Sequence, residues 1–259
     1  MNDHTYITTL NRVNAQVTLR QVPWAALVVQ EHEFAAYSEA YPTTTIIPLP
    51  PEIRTLGPTR KWCLANLPNA EGKLILLDDD LSISVRRDPT DYHLKVATVD
   101  EVVECFEAVE DLLDRYAHVS VSGREGQNRM SPEESLPLFN GRYMRFLAYN
   151  VKLFPDRDMC GRVDGMSDFD LNLQLLRAGC ESAMVTRWAQ GHKGTQTPGG
   201  CAEQRTLEKH AAEVDFMVES HAPFVKAVYK NDKTGGEFGK RKEVFIQWKK
   251  AFASSQVEA

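Results

Sequence analysis

Asp78, Asp79 and Asp80 stand in a row directly after the apolar run Leu74-Ile75-Leu76-Leu77. Three like charges at the edge of a core are costly unless a cation neutralises them. In an extended segment side chains alternate, which sends Asp78 and Asp80 to one side and Asp79 to the other. Two hard oxygen ligands on one side suit Mg²⁺ or Mn²⁺ carrying a phosphate-bearing substrate. The competing reading is a solvated acidic turn. A second acidic cluster, Ser167-Asp168-Phe169-Asp170, opens a predicted helix. The helix dipole stabilises acids there whether or not they do chemistry. A nucleotide also needs counter-charge. Arg12 follows the first predicted strand, and Arg60 lies in the helix that leads to the acidic strand. Arginine offers a planar fork of donors suited to phosphate and to base carbonyls, although a surface salt bridge is its usual fate. Arg205 opens a predicted helix after Gly199-Gly200, where a helix N-terminus and a cation can share an anion.

These groups need a frame that gathers strand ends on one edge. Four large apolar residues in succession read as a strand buried on both faces, as at the centre of a parallel sheet. Strands are also predicted at Tyr6–Leu10, Ala25–Val29 and Thr43–Leu49, with a short helix over 14–22 closed by Pro23 and another over Thr59–Leu67. This alternation is the βαβ signature, and ligands in such sheets bind at the carboxyl ends of strands. Val102, Phe106, Val109, Leu113 and Tyr116 recur at helical spacing within Asp100–Tyr116, the clearest helix. Further strands are predicted at His118–Ser122, Arg142–Phe154 and Ala183–Ala189. Ser167–Ala178 reads as a helix capped by Ser167 and stopped by Gly179, and Ala202 to about Ser220 as a long helix. Ser131-Pro132-Glu133-Glu134 matches a capping box, and the segment from Gly191 to Gly200 reads as loop.

Composition narrows the class. The 259 residues are 42% hydrophobic and 25% charged, ordinary for a globular protein. No apolar stretch approaches the ~20 residues that span a bilayer. Met1-Asn2-Asp3-His4 lacks the features of a secretory signal, and five cysteines without metal or disulfide spacing read as reduced thiols, so a cytoplasmic protein is expected. A net charge of −6 argues against indiscriminate nucleic-acid binding. The charge is uneven, with eight Lys or Arg against three acids between Lys226 and Lys250. Lys240-Arg241-Lys242, with Phe245 and Trp248, reads either as a phosphate and base contact or as a solvated face. Alternatively Phe245 and Trp248 form a helix packing face. Arg124-Glu125-Gly126-Gln127-Asn128-Arg129 reads as a polar loop that either touches an acceptor or is plain surface.

Residues 5 to 210 taken together resemble a glycosyltransferase of the GT-A fold that uses a nucleotide-sugar donor. Within that class the chain resembles the TET-associated glycosyltransferases, phage-type enzymes that place sugars on 5-hydroxymethyl pyrimidines in DNA. The resemblance rests on Thr8-Thr9-Leu10-Asn11-Arg12, Thr59-Arg60, Leu76-Leu77-Asp78-Asp79-Asp80-Leu81, Gly165-Met166-Ser167-Asp168-Phe169-Asp170-Leu171 and Gly199-Gly200-Cys201 through Arg205. It implies an α/β fold, a GT-A-like single domain with a mostly parallel central sheet flanked by helices. Residues 1–220 would form the catalytic domain, and residues 221–259 a basic C-terminal extension packed on or beside it.

The resemblance also implies roles. Asp80 becomes the direct ligand of Mn²⁺ or Mg²⁺, with Asp78 as partner to ribose or metal and His192 as a late third ligand. Thr9, Arg12, Arg60, Asp78, Asp79 and Arg205 would hold the nucleotide-sugar, a UDP-sugar. Asp168 becomes the base of inverting transfer, although Ser167 stands where the family pattern has another acid. The implied acceptor is DNA containing 5-hydroxymethylcytosine, in the cytoplasm of a phage-infected host and away from any membrane. Three rivals remain. One is a GT-A enzyme with a carbohydrate, lipid or small-molecule acceptor. Another is a Mg²⁺-dependent nucleotidyltransferase, against which Thr8 to Asn14 offers neither Gly nor Lys for a phosphate loop. The third is a non-catalytic DNA-binding module.

Overall fold

The computed structural model describes residues 4–87, 93–123, 137–192, 206–231 and 240–256, with Lys240 described by its backbone alone. The loop 124–129, the capping box at Ser131, most of the Gly191–Gly200 segment, Cys201 and Arg205 lie outside the described residues. Strands β1 (Thr5–Thr8), β2 (Ala26–Val29), β3 (Ile46–Pro48) and β4 (Lys73–Asp78) lie parallel in the order β3-β2-β1-β4. Beyond β4 the order continues through β9 (Phe146–Asn150), β7 (His118–Gly123), β10 (Ser182–His192), β5 (Leu81–Val85) and β6 (Lys95–Val96), while β8 (Leu138–Phe139) pairs with β10. The sheet is mixed. β5, β8 and β9 run against the other strands, so the expected α/β architecture with a mostly parallel central sheet holds.

The apolar run of β4 is buried on both faces. Ile75 and Leu77 join a core with Val102, Phe106 and Val109 of α3 (Val99–Leu113). Leu74 and Leu76 join a second core with Cys63 and Leu64 of α2 (Leu56–Asn66) and with Leu171 and Leu175 of α4 (Ser167–Arg177). Each such side chain contributes about 1.5–3 kcal/mol over the exposed state. Helix α3 starts at a capping box in which Thr98 and Glu101 satisfy each other's backbone N–H.

Several expectations are corrected. Residues 14–22 hold only a 3₁₀ turn at Thr18–Arg20, because the Val17 and Thr18 N–H groups donate to the Asp79 carbonyl instead of to a helix, at 3.0 and 3.1 Å. The strand predicted at Arg142–Phe154 is confined to β9. Ser167 is the first residue of α4, and Met166 occupies the cap. The reading passed over α1 (Phe34–Ala40), and over β5, whose Leu81, Ile83 and Val85 alternate with serines.

The described residues from 206 on form α5 (Leu207–Ser220), the antiparallel pair β11 (Val225–Asn231) and β12 (Lys240–Ile246), and α6 (Trp248–Ser255). Val214 and Met217 of α5, Val225 and Ala251 form a third core with Leu173 and Leu176 of α4. Phe245 is exposed on β12 and Trp248 belongs to the next helix, so they share no helix face. The basic triplet is largely spoken for: Lys242 pairs with Asp215, and Arg241 with Glu243 at 2.6 Å. None of the described helices is long and apolar enough to cross a membrane.

Candidate active site

The acidic triplet is the turn that joins β4 to β5. Its backbone is tied down by one threonine. Thr18 Oγ1 donates to the Asp78 carbonyl at 2.6 Å and accepts from the Leu81 N–H at 2.8 Å. Asp79 turns inward and is 4% exposed. It accepts from Thr9 Oγ1 at 2.6 Å and from the Arg12 guanidinium, which also reaches Asp80 at 3.2 Å. Asp78 and Asp80 keep side chains 35% and 21% exposed, so the predicted alternation separates one structural carboxylate from two available ones. Thr9 and Asp79 stand behind the turn, in a network with Tyr37 and Gln16.

Helix α2 sends Arg60 into the same place. Gly57, in its first turn, lets α2 approach the 163–164 segment: a Cβ there would lie 2.6 Å from the Val163 carbonyl. The buried Arg60 guanidinium donates to Ser167 Oγ at 2.8 Å and lies 3.7 Å from both Asp78 Oδ1 and Asp168 Oδ1. Two acidic clusters far apart in sequence are thereby brought to one cation. Burial works against the charge on Arg60, but Asp168 and Asp78 outweigh it and raise its pKa. Removing one partner of a buried charge network strands the others, at a cost of about 3–5 kcal/mol. Arg60→Ala is expected to destabilise the fold by that amount in urea titration. An unchanged midpoint would mean that solvent, not Arg60, screens the acids.

Asp78 responds most strongly to this crowding. Burial, against the pull of Arg60, and then Asp80, Asp79 and Asp168 push its pKa up to about 6. A carboxyl raised above its unfolded value costs stability when ionised, fully above the folded pKa, and the cost fades as pH falls through it. Asp78→Asn is therefore expected to raise the melting temperature of the unliganded protein at pH 8, with the gain shrinking as pH falls below about 6 and vanishing only below the ordinary carboxylate value of 3.8. A pH-independent difference in melting would remove Asp78 as its source.

His192 ends β10. β10 pairs with β7 along one edge, with a register shift between Val185 and Ala189, and with β5 along the other, which sets His192 opposite Leu81, next to Asp80. Its Nδ1 lies 2.8 Å from Arg145 Nη1. Arg145, which sequence reasoning missed, has φ +65° and offers its carbonyl to the Asp78 N–H at 3.0 Å. Asn11, at φ +54°, gives its N–H to Glu33 Oε1 at 2.8 Å. Strained residues of this kind cluster at functional sites. Glu33 Oε2 and Gln16 Oε1 are buried without a hydrogen-bond partner among the described residues. No local pattern marked Arg145, Glu33 or Gln16, because their roles arise from tertiary contacts.

Asp168 is 9% exposed and accepts from the Phe169 N–H at 3.1 Å. Asp170 points away from it. Arg162 grips Asp170, Gln174 donates to it at 3.0 Å, and the fully buried His221 places Nε2 2.8 Å from it. Burial alone would raise the Asp170 pKa, but His221 and Arg162 overcome that and hold it below the ordinary carboxylate value.

Among the described residues no three His, Cys, Asp or Glu side chains form a group able to hold a metal ion by themselves. Asp78 and Asp80 nevertheless fit a Mg²⁺-type ion, which takes one or two protein carboxylates and completes its shell with phosphate and water. The chain is 28% identical over 205 residues to the beta-glucosyl-HMC-alpha-glucosyl-transferase of Enterobacteria phage T2, and equally to that of phage T6. Each alignment covers 71% of this chain and 68% of the relative. Residues 4–200, which hold the acidic turn, Arg60 and Asp168, match the model of the TET-associated glycosyltransferases, and the chain belongs to that family of enzymes.

Proposed function

We propose that this glycosyltransferase moves a sugar from a nucleoside diphosphate, a UDP-sugar, to a hydroxyl on DNA containing 5-hydroxymethylcytosine. The observation that carries this reading is Arg60 set 3.7 Å from both Asp78 and Asp168, which puts the donor-side acids and the candidate base in one site. Buried Glu33 Oε2 and Gln16 Oε1 would accept N–H or hydroxyl protons of the nucleoside. Arg12 and Arg60 supply positive charge near the diphosphate. Asp78 and Asp80 would hold Mg²⁺ or Mn²⁺ with His192 beside them, and the ion would neutralise charge gathering on the leaving diphosphate. Asp168 takes the proton from the acceptor hydroxyl as its oxygen bonds to the anomeric carbon. The bond from that carbon to the diphosphate breaks, and its electron pair leaves with the phosphate.

The phage relatives carry names that specify a beta-glucosyl-HMC acceptor and an alpha-glucosyl product. Their names favour a second reading in which the accepting hydroxyl belongs to a sugar already on the base. They also bear on stereochemistry. An alpha product from an alpha-linked donor would mean retention, whereas direct attack assisted by Asp168 inverts. The phage origin of the relatives supports a reaction in the cytoplasm of an infected cell.

The test supplies UDP-sugars and Mg²⁺ or Mn²⁺ with unmodified, hydroxymethylated and beta-glucosylated duplexes. Mass spectrometry of the released nucleosides then reads the added sugar, and NMR its anomeric configuration. Transfer to either modified duplex supports the reading and says which hydroxyl accepts. Transfer to a free saccharide alone would replace DNA with a carbohydrate acceptor.

A further inference from the structure

Beside Asp168 lies a stack that the reading above leaves unused. Phe169, the next residue, meets Trp248 edge to face, with ring centroids 5.5 Å apart. The guanidinium carbon of Arg142 lies 5.1 Å from the centre of the same Phe169 ring. Arg142 is exposed, and among the described residues it has no carboxylate partner and no hydrogen bond. An arginine held against an aromatic face loses little further freedom when its N–H groups take up an anion.

The position of Arg142 is fixed from both sides. Asn172 of α4 donates to the Gly141 carbonyl at 3.0 Å. Three residues further on, the Arg145 carbonyl accepts from Asp78, and the Arg145 side chain meets His192. The 141–145 segment thus runs from the helix of the candidate base to the acidic turn, and Arg142 sits on the rim between them. Trp248 comes from α6, beyond the matched residues 4–200, and is followed by Lys249 and Lys250. Both lysines are exposed and have no ion-pair partner among the described residues. Arg142 thus presents, on the residue next to the candidate base, a cation with no acidic partner among the described residues, in a chain whose net charge is −6.

We propose that Arg142, held over Phe169 and backed by Trp248, is a specificity-determining residue that binds a phosphate of a polynucleotide acceptor next to the hydroxyl deprotonated by Asp168. This rests on the reading of the chain as a DNA glycosyltransferase. A phosphate suits the site because the guanidinium fork matches its oxygens bidentately, and each neutralised phosphate releases counterions that favour binding at low salt. A neutral saccharide would gain nothing from this charge.

The experiment compares kcat/KM for the modified duplex with that for the matching free nucleoside, in wild type, Arg142→Ala and Arg142→Lys, over a range of salt. Arg142→Ala is expected to lower the duplex-to-nucleoside ratio about tenfold and to flatten the log–log salt dependence by about 0.9. Arg142→Lys should restore the salt dependence more than the ratio, since it keeps the charge and loses the fork. Equal losses on duplex and nucleoside, or a ratio unchanged by either substitution, would overturn the assignment while leaving DNA as the acceptor. A wild type that shows no preference for duplex and no salt dependence would overturn both readings, and the variants are not needed to see it.

Discussion

Asp80→Ala is expected to cut sugar transfer by on the order of 10³-fold, the weight of several kcal/mol of lost charge stabilisation at the leaving group. The fold should survive. Asp80 is one of the carboxylates that raise the pKa of Asp78, so its removal relieves crowding in the unliganded protein. The turn itself is held by Thr18 and by the Asp79 carbonyl, neither of which involves the Asp80 side chain. Melting without divalent ions should therefore be unchanged or slightly higher, and Mg²⁺ or Mn²⁺ should no longer shift it in the presence of nucleoside diphosphate. Near-wild-type transfer by Asp80→Ala at saturating Mg²⁺ or Mn²⁺ would show that the acidic turn does not hold the diphosphate.

Asp168→Asn should lower kcat by about 10²–10⁴-fold, the usual range for a general base. The substitution retains an oxygen for the Phe169 N–H and keeps the side chain's size. Arg60 keeps Asp78 and Ser167 as partners, so donor KM should stay within a few-fold of wild type. Turnover that is unchanged while donor KM rises would instead place Asp168 at the nucleotide. A kcat loss joined to an alpha-linked product would make Asp168 a positioning group in a retaining reaction.

The sequence carried the central elements because their signals are local. Ile75 and Leu77 against Leu74 and Leu76 declare a strand with two buried faces, and Val102, Phe106, Val109 and Leu113 declare one helix face. Alternation sets Asp79 apart from Asp78 and Asp80, but its inward turn comes from Thr9 and Arg12, which lie far away in sequence. Thr18 was hidden because its helical context is abolished by distant partners at Asp78, Asp79 and Leu81. Arg145 and Glu33 gave no pattern, since one matters through a left-handed backbone and the other through a carboxylate oxygen buried by the fold. Leu81, Ile83 and Val85 did alternate, and Phe34 with Tyr37 did repeat at helical spacing, but both followed charged residues that suggested loop. The meeting of Arg60 with Asp168 is a matter of topology: Gly57 permits it, and nothing near either residue announces it.

The contact between Asp170 and His221 has a consequence for protein engineering. His221 follows α5, outside the matched residues 4–200, yet it supplies the buried partner of a carboxylate two positions from the candidate base. Acceptor preference is an obvious property to exchange between relatives by joining the front of one chain to the back of another. A junction near residue 200 would pair Asp170 with whatever the donor chain carries at the equivalent of His221, and a mismatch there takes a hydrogen-bond partner from a buried carboxylate of α4. Chimeras built with Asp170, Arg162 and His221 from a single parent should fold, and those that split them should need a compensating change at one of the three.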